Sequence, residues 1–154
     1  MLKRYLKKIS EHGNKLVNLH LLKSQELDSP AARFQVERNN RIEKPKYVPA
    51  GCHSREQSEP GILQKDSGQD GMTEKELGRV YINKEQYFEG ISGPVWSYQI
   101  GGYQVCDKWL KDRKKRVLTL DEIQTYCEIV TAINKTIEIK KGIDESYEEI
   151  EKTI

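Results

Sequence analysis

Long apolar runs are missing from this 154-residue chain. No stretch approaches the roughly 20 residues needed to span a bilayer, and the N-terminal MLKRYLKKISEHG lacks the uninterrupted apolar core of a signal peptide. A cytoplasmic protein with no membrane segment is expected. Cysteine is scarce as well. Cys52, Cys106 and Cys127 are odd in number and widely spaced, with no C-x-x-C pair and no histidine spacing suited to zinc, which excludes a disulfide scaffold and gives no metal site. Cys106 and Cys127 occupy apolar helical positions and read as small buried hydrophobes. Cys52-His53 is the only close Cys and His pair, and it has no second ligand pair. An excess of one charge is also lacking: 26 Lys and Arg stand against 24 Asp and Glu, a net of +2, so a nucleic-acid reading must rest on where the charges lie. With 36% hydrophobic and 32% charged residues, the chain is on the polar side of globular, and at least one unstructured segment is expected within a single domain.

What is present centres on Val95 to Arg116, VWSYQIGGYQVCDKWLKDRKKR. Val95, Trp96, Tyr98 and Ile100 make an apolar and aromatic alternation that ends at Gly101-Gly102, after which Val105, Cys106, Trp109 and Leu110 take up helical spacing. Strand, tight glycine turn and a helix over 102–116 are predicted, since glycine reaches backbone angles that a Cβ blocks. The helix runs into Lys108, Lys111, Arg113, Lys114, Lys115 and Arg116, opposed locally by Asp107 and Asp112. The aromatic residues here read as core and sheet packing rather than base-stacking platforms.

Residues 1–27 read as one or two helices with a break at Gly13-Asn14, closed by Asp28-Ser29-Pro30. Lys3, Arg4, Lys7 and Lys8 make their start basic, as a solvated face or as phosphate contacts. Phe34 with Val36, then Ile42 with Tyr47, suggest a hairpin turning at Asn39-Asn40 and decorated by Arg33, Arg38, Arg41, Lys44 and Lys46. Such a basic ribbon suits a nucleic-acid backbone or groove, and charged edges also prevent aggregation. From Val48 to Leu77 periodicity vanishes and a mobile loop is predicted. Arg79 to Ile82, and Tyr87-Phe88 with Ile91, supply strands expected to join the central stretch in one small sheet within 33–100. Thr119 and Glu122 form a T-x-x-E capping box ahead of Ile123, Tyr126, Cys127, Val130, Ile133 and Ile137, and Gly142 marks an end or bend before the acidic tail of the C-terminal helices, 119–154.

The run YQIGGYQVCDKWLKDRKKR, followed by LTLDEIQTYCEIVTAINKTIEIKKGID, closely resembles the C-terminal target-recognition part of type ISP restriction-modification N6-adenine DNA methyltransferases. LVNLHLLKSQEL, ARFQVERNNRIEKPKY and GRVYINKEQYFEGI resemble the pieces that precede it. Between Val48 and Leu77 the chain departs from the pattern, where the family has a much shorter link. The resemblance implies a specificity module that docks on double-stranded DNA. A methyl-donor glycine turn and an Asn/Asp-Pro-Pro-Tyr loop are both absent from these residues, as is G-x-x-x-x-G-K-[ST]. No nuclease carboxylate cluster and no Cys/His nucleophile pair is recognisable.

The expectation is therefore a non-enzymatic α+β domain with no cofactor: a small, mostly antiparallel sheet flanked by N- and C-terminal helices. Lys108, Lys111, Arg113, Lys114, Lys115 and Arg116, with Arg41, Lys44 and Lys46, are the candidates for phosphate contact. Gln99 and Gln104 beside the glycine turn are the candidates for base edges. The competing expectation is a protein-interaction module whose terminal helices dock on a separate methyltransferase or helicase subunit.

Overall fold

A computed structural model describes residues 2–35, 38–50 and 77–152. The expected loop at 48–77 falls almost wholly outside the described residues, as do Val36 and Cys52-His53. The fold is α+β. Helix α1 (Leu2–His20) and a 3-10 turn (Gln25–Asp28) lead into strands β1 (Arg33–Gln35), β2 (Lys46–Val48), β3 (Leu77–Tyr81) and β4 (Tyr87–Ser92). A helical turn α2 (Gly93–Trp96), a minimal hairpin of β5 (Gln99–Ile100) and β6 (Tyr103–Gln104), helix α3 (Val105–Lys111) and helix α4 (Leu120–Glu151) complete the order.

The main sheet runs β1-β4-β3-β2 and is antiparallel throughout. This corrects the expected Phe34–Tyr47 hairpin. Strands β1 and β2 lie on opposite edges, each paired with one arm of the β3–β4 hairpin. Tyr87 and Phe88 can pair with both Gln35-Phe34 and Tyr81-Val80, so β4 takes the central place that adjacency in sequence suggested for β2. Alternation along β3 and β4 puts Val80, Phe88 and Ile91 inward, where they meet Cys106, Leu110, Tyr126, Val130 and Ile133 in one core. Phe88 and Trp109 sandwich the buried Tyr126 ring at 4.4 and 5.2 Å. Gly90 is the extra residue of a bulge between the Ile91 and Glu89 pairings; its φ is +86°, and a Cβ there would strike the Ala31 carbonyl oxygen.

Val95 to Ile100 is not one strand, and it does not join the main sheet. Ser92 in an extended conformation and Pro94 in the first turn start a helical turn instead, and Ser97 Oγ donates back to the Gly93 carbonyl at 2.9 Å. Only Gln99-Ile100 remains extended, and it pairs with Gln104-Tyr103 in a separate two-stranded ribbon.

Two glycines expected to break helices do not. Gly13 sits inside α1, and Gly142 lies inside the 32-residue α4. The two helices pack antiparallel along a seam whose residues alternate spacings of four and three: Tyr5, Ile9, His12, Leu16 and Leu19 against Ala132, Thr136, Ile139, Ile143, Ser146 and Ile150. A Cβ on Gly142 would meet the His12 ring at 3.8 Å, and the pairing supplies what the glycine propensity loses. The Thr119 hydroxyl accepts from the Glu122 N–H at 3.2 Å while Glu122 accepts from the Thr119 N–H at 3.1 Å, so the expected capping box opens α4.

Candidate nucleic-acid interface

Gly101 and Gly102 have φ of +58° and +82°, the paired left-handed geometry of the tightest hairpin turn, and nothing lies within 4 Å of where a Cβ would stand on either. The turn is therefore a bare, projecting tip. Gln99 on its rising arm is exposed and faces the half-buried Gln104 in register; Ile100 and Tyr103 are 57% and 63% exposed. The Tyr98 carbonyl accepts from the Val105 N–H at 3.1 Å, which ties the ribbon to the start of α3. That helix is shorter than expected. It ends at Lys111, and 112–115 are a turn closed by Lys115, whose φ of +71° is left-handed.

The six cations of this segment divide. Lys108 pairs with Asp112 at 3.0 Å and also stands 5.5 Å from the Tyr103 ring centre, while Lys111 pairs with Asp107 at 2.6 Å. Arg113 is a packing residue: its guanidinium lies 3.7 Å over the Trp109 ring, donates to the Trp109 carbonyl at 3.2 Å and reaches Glu122 at 3.3 Å. Arg116 also reaches Glu122, at 3.2 Å, but is largely exposed. The Thr119 N–H, and then Arg113 and Arg116, hold the Glu122 carboxyl below its ordinary range. Lys114 and Lys115 are exposed and have no counter-charge among the described residues.

A second basic segment is laced to this one. Ile42 N–H donates to the Arg116 carbonyl at 3.0 Å, Lys115 N–H to the Ile42 carbonyl at 2.7 Å, and Leu118 N–H to the Asn40 carbonyl at 2.8 Å, with Arg41 bridged antiparallel to Val117. Exposed Arg41 thus stands beside Lys114, Lys115 and Arg116. These groups are far apart in sequence, and β-pairing brings them together.

The same loop is locked from below by a polar network that sequence reasoning missed. Gln86, 1% exposed, accepts the Asn40 N–H at 2.9 Å and donates to Asn40 Oδ1 at 2.8 Å. Asn83 Nδ2 donates to Gln86 Oε1 at 2.9 Å and to the Arg41 carbonyl at 3.1 Å. Asn40 has a left-handed φ of +49°, which asparagine tolerates. The residue type was readable as a turn former, but its partner lies in the β3–β4 turn rather than in a β1–β2 hairpin.

Lys44 and Lys46 line a shallow groove of about 660 Å³ with Tyr81, Asn83 and Lys84. Lys84 was not among the sequence candidates; its position in the β3–β4 turn, beside the network, becomes evident only from the pairing. The candidate cations thus fall in three groups: Lys108 and Lys111 on α3, a ledge of Arg41, Lys114 and Lys115 set by the backbone lacing, and Lys44 and Lys46 with Lys84 around the groove. The two glutamines lie on the ribbon that leads into the N-terminal end of α3, whereas Lys114 and Lys115 follow its C-terminal end, and the seven residues of the helix between them span about 10 Å.

Burial pushes the Cys106 thiol up to about 12 and the Cys127 thiol up to about 11, so both stay protonated at neutral pH. Among the described residues no three His, Cys, Asp or Glu side chains converge as metal ligands, and no helix is long and apolar enough to cross a membrane. No curated protein and no solved structure matches the chain. The family model described as the type ISP C-terminal specificity domain matches residues 3–141, a span that includes the glycine ribbon, the α3 cations, the Arg41 ledge and most of α4. The chain belongs to the family of type ISP C-terminal specificity domains.

Proposed function

We propose that this chain is a DNA target-recognition module without catalytic residues of its own, acting in the cytoplasm to set where an adenine methyltransferase of the type ISP kind engages duplex DNA. One observation carries the reading: the backbone lacing of Ile42 to Lys115 and Arg116 gathers Arg41, Lys114 and Lys115 on one open surface. Cations without internal partners break no existing pair when they turn toward phosphate, whereas Lys108 and Lys111 must exchange an existing exposed pair, and Arg113 would have to leave its stack on Trp109.

On this reading the ledge positions the domain, and the β5–β6 ribbon reads sequence. A two-stranded ribbon fits the width of a major groove, and Gln99 can offer paired donor and acceptor atoms to an adenine edge. Absence of a side chain at Gly101 and Gly102 lets the ribbon tip approach a sugar-phosphate strand closely.

The test is binding of a mixed-sequence duplex by fluorescence anisotropy at several salt concentrations. Affinity should fall linearly on a log-log plot, and removing the Arg41, Lys114 and Lys115 charges should reduce the slope by about 0.9 for each phosphate left without its cation. Absence of binding at low salt, or a slope unchanged by the triple substitution, overturns the proposal.

A further inference from the structure

Alternation along the main sheet leaves a second face. Val80 and Phe88 point inward to the core, so the residues on either side of them point outward. The register sets these side by side: Lys46, Tyr81 and Tyr87 form one row across β2, β3 and β4, and Arg79, Glu89 and Arg33 form the next across β3, β4 and β1. The Tyr81 and Tyr87 ring centres are 5.0 Å apart, and the Arg79 guanidinium lies 4.9 Å from the centre of the Tyr87 ring. Two hollows open on this side, one of about 660 Å³ beside Tyr81 and Lys46 and one of about 370 Å³ beside Arg33 and Arg79.

Charge on this face is uneven. Lys44 and Lys84 line the larger hollow, so the face and its hollows carry Arg33, Arg79, Lys44, Lys46 and Lys84 against Glu43 and Glu89. Arg33, Lys44, Lys46 and Lys84 have no carboxylate partner among the described residues. Glu89 is occupied, since it accepts from the Gln35 amide and stands between Arg79 and Arg33 in register. The two tyrosines are half-buried, so they do not project far enough to read base edges inside a groove. Rings laid on a cation-rimmed sheet suit groups that are themselves flat and already unstacked.

We infer that this outer face is a binding site for single-stranded nucleic acid, built from other residues than the ledge and the ribbon. Unpaired bases stack on Tyr81, Tyr87 and the plane of Arg79, while phosphates follow Arg33 on one side and Lys46 on the other. Strands β1 and β2 are the two edges of the sheet, so these two cations flank the rings. Stacking and phosphate pairing are chemistry that DNA and RNA strands share. A duplex keeps its bases stacked on one another and offers this face phosphate alone. The inference does not rest on duplex binding at the ledge and is read on a different probe.

Fluorescence anisotropy of a labelled oligo-dT of about 12 nucleotides tests this on the full chain, with oligo-U and a mixed-sequence duplex beside it. At least one of the two homopolymers should bind at low salt, and the tighter one identifies whether the face takes DNA or RNA. Arg33→Gln should lower the salt slope of that binding by about 0.7, the single-strand value for one phosphate. Tyr87→Leu keeps an apolar side chain but loses the ring; it should weaken strand binding about tenfold with duplex affinity unchanged, and Tyr87→Phe should recover the loss. Excess unlabelled duplex should leave the strand bound. Binding of neither homopolymer overturns the inference. So does a Tyr87→Leu protein with the wild-type circular dichroism spectrum that holds the strand as tightly as wild type, a salt slope that Arg33→Gln leaves unchanged, or full displacement of the strand by duplex. A failure of duplex binding alone overturns the reading of the ledge and leaves this one standing.

Discussion

Lys115 donates its backbone N–H to the carbonyl oxygen of Ile42 at 2.7 Å while holding a left-handed φ of +71°. A lysine in this conformation costs about 1 kcal/mol relative to glycine. The cost is maintained where the chain turns from α3 to run beside Ile42. Lys115→Gly should therefore leave stability equal or raise it by up to about 1 kcal/mol, since the N–H is kept and the strain removed. The same substitution should weaken DNA binding and lower the salt slope by about 0.9. Urea denaturation and anisotropy on the same preparation would read both, and a loss of both stability and binding would contradict the separation.

Arg113 should behave in the opposite way. Its guanidinium is spread over Trp109 and bonded to Glu122, so Arg113→Ala should cost about 1–2 kcal/mol in urea denaturation through lost stacking and a lost charge-assisted bond. At matched folding, the salt slope of DNA binding should stay at the wild-type value.

Gln86 is the hinge between the ledge and the sheet. Substituting it with leucine fills a similar volume but leaves the Asn40 N–H and the Asn83 amide without their buried partner, which should cost about 1–3 kcal/mol. Hydrogen exchange should show the Asn39 to Arg41 amides losing protection while those of β3 and β4 keep theirs. Equal loss across all of them would mean the network supports the whole sheet rather than the loop.

Those two segments also mark where the sequence was legible and where it was not. The T-x-x-E box, the apolar stripe that follows it from Ile123 and the β-rich runs at 79–82 and 87–91 are local patterns, and each falls in or beside the element expected of it. Gly101-Gly102 is a turn for the reason given, because two consecutive left-handed angles are a local property. The strand order could not be read that way. Phe34 and Tyr47 are near in sequence and lie on opposite sheet edges, because pairing is decided by which β-rich runs can cover the core together. Gly13 and Gly142 were expected to interrupt helices on propensity alone, and packing across the α1–α4 seam overrides that. The candidate cations were found by type and clustering. The pairs of Lys108 with Asp112 and Lys111 with Asp107 follow helical i,i+4 spacing, whereas the contacts of Arg113 and Arg116 with Glu122 and the lacing of Lys115 to Ile42 are tertiary and no spacing rule connects them.

The glycines make a graded prediction. Gly102→Ala meets open space, so its cost is conformational, about 1 kcal/mol, with the ribbon preserved. Gly90→Ala combines a left-handed φ with a collision against the Ala31 backbone, and it should cost at least about 3 kcal/mol or prevent folding, because both β1 and its bulged partner would have to move. Thermal melts of the two variants should therefore differ widely despite identical chemistry.

Acid should loosen α4 from its N-terminal end. The Glu122 carboxyl is held below its ordinary value of 4.5 by the Thr119 N–H, then by Arg113 and Arg116, so the folded state binds the proton less readily than the unfolded chain. Its contribution to stability is present in full above pH 4.5, shrinks as the pH falls through that value, and is gone below the depressed folded value. Glu122→Gln retains an oxygen that can cap the Thr119 N–H but loses the charge that attracts the two arginines. At pH 7 the substitution should destabilise by about 1 kcal/mol, and the difference from wild type should close as the pH is lowered. Thr119→Ala, which removes the hydroxyl half of the box, should cost a similar amount without that pH dependence. Urea midpoints for the three proteins between pH 7 and pH 3 measure this. A Glu122→Gln deficit that persists unchanged at the acid end would show that the carboxyl acts through shape and hydrogen bonding alone. The arginine pair would then be an incidental contact rather than the group that secures the Arg116 end of the ledge.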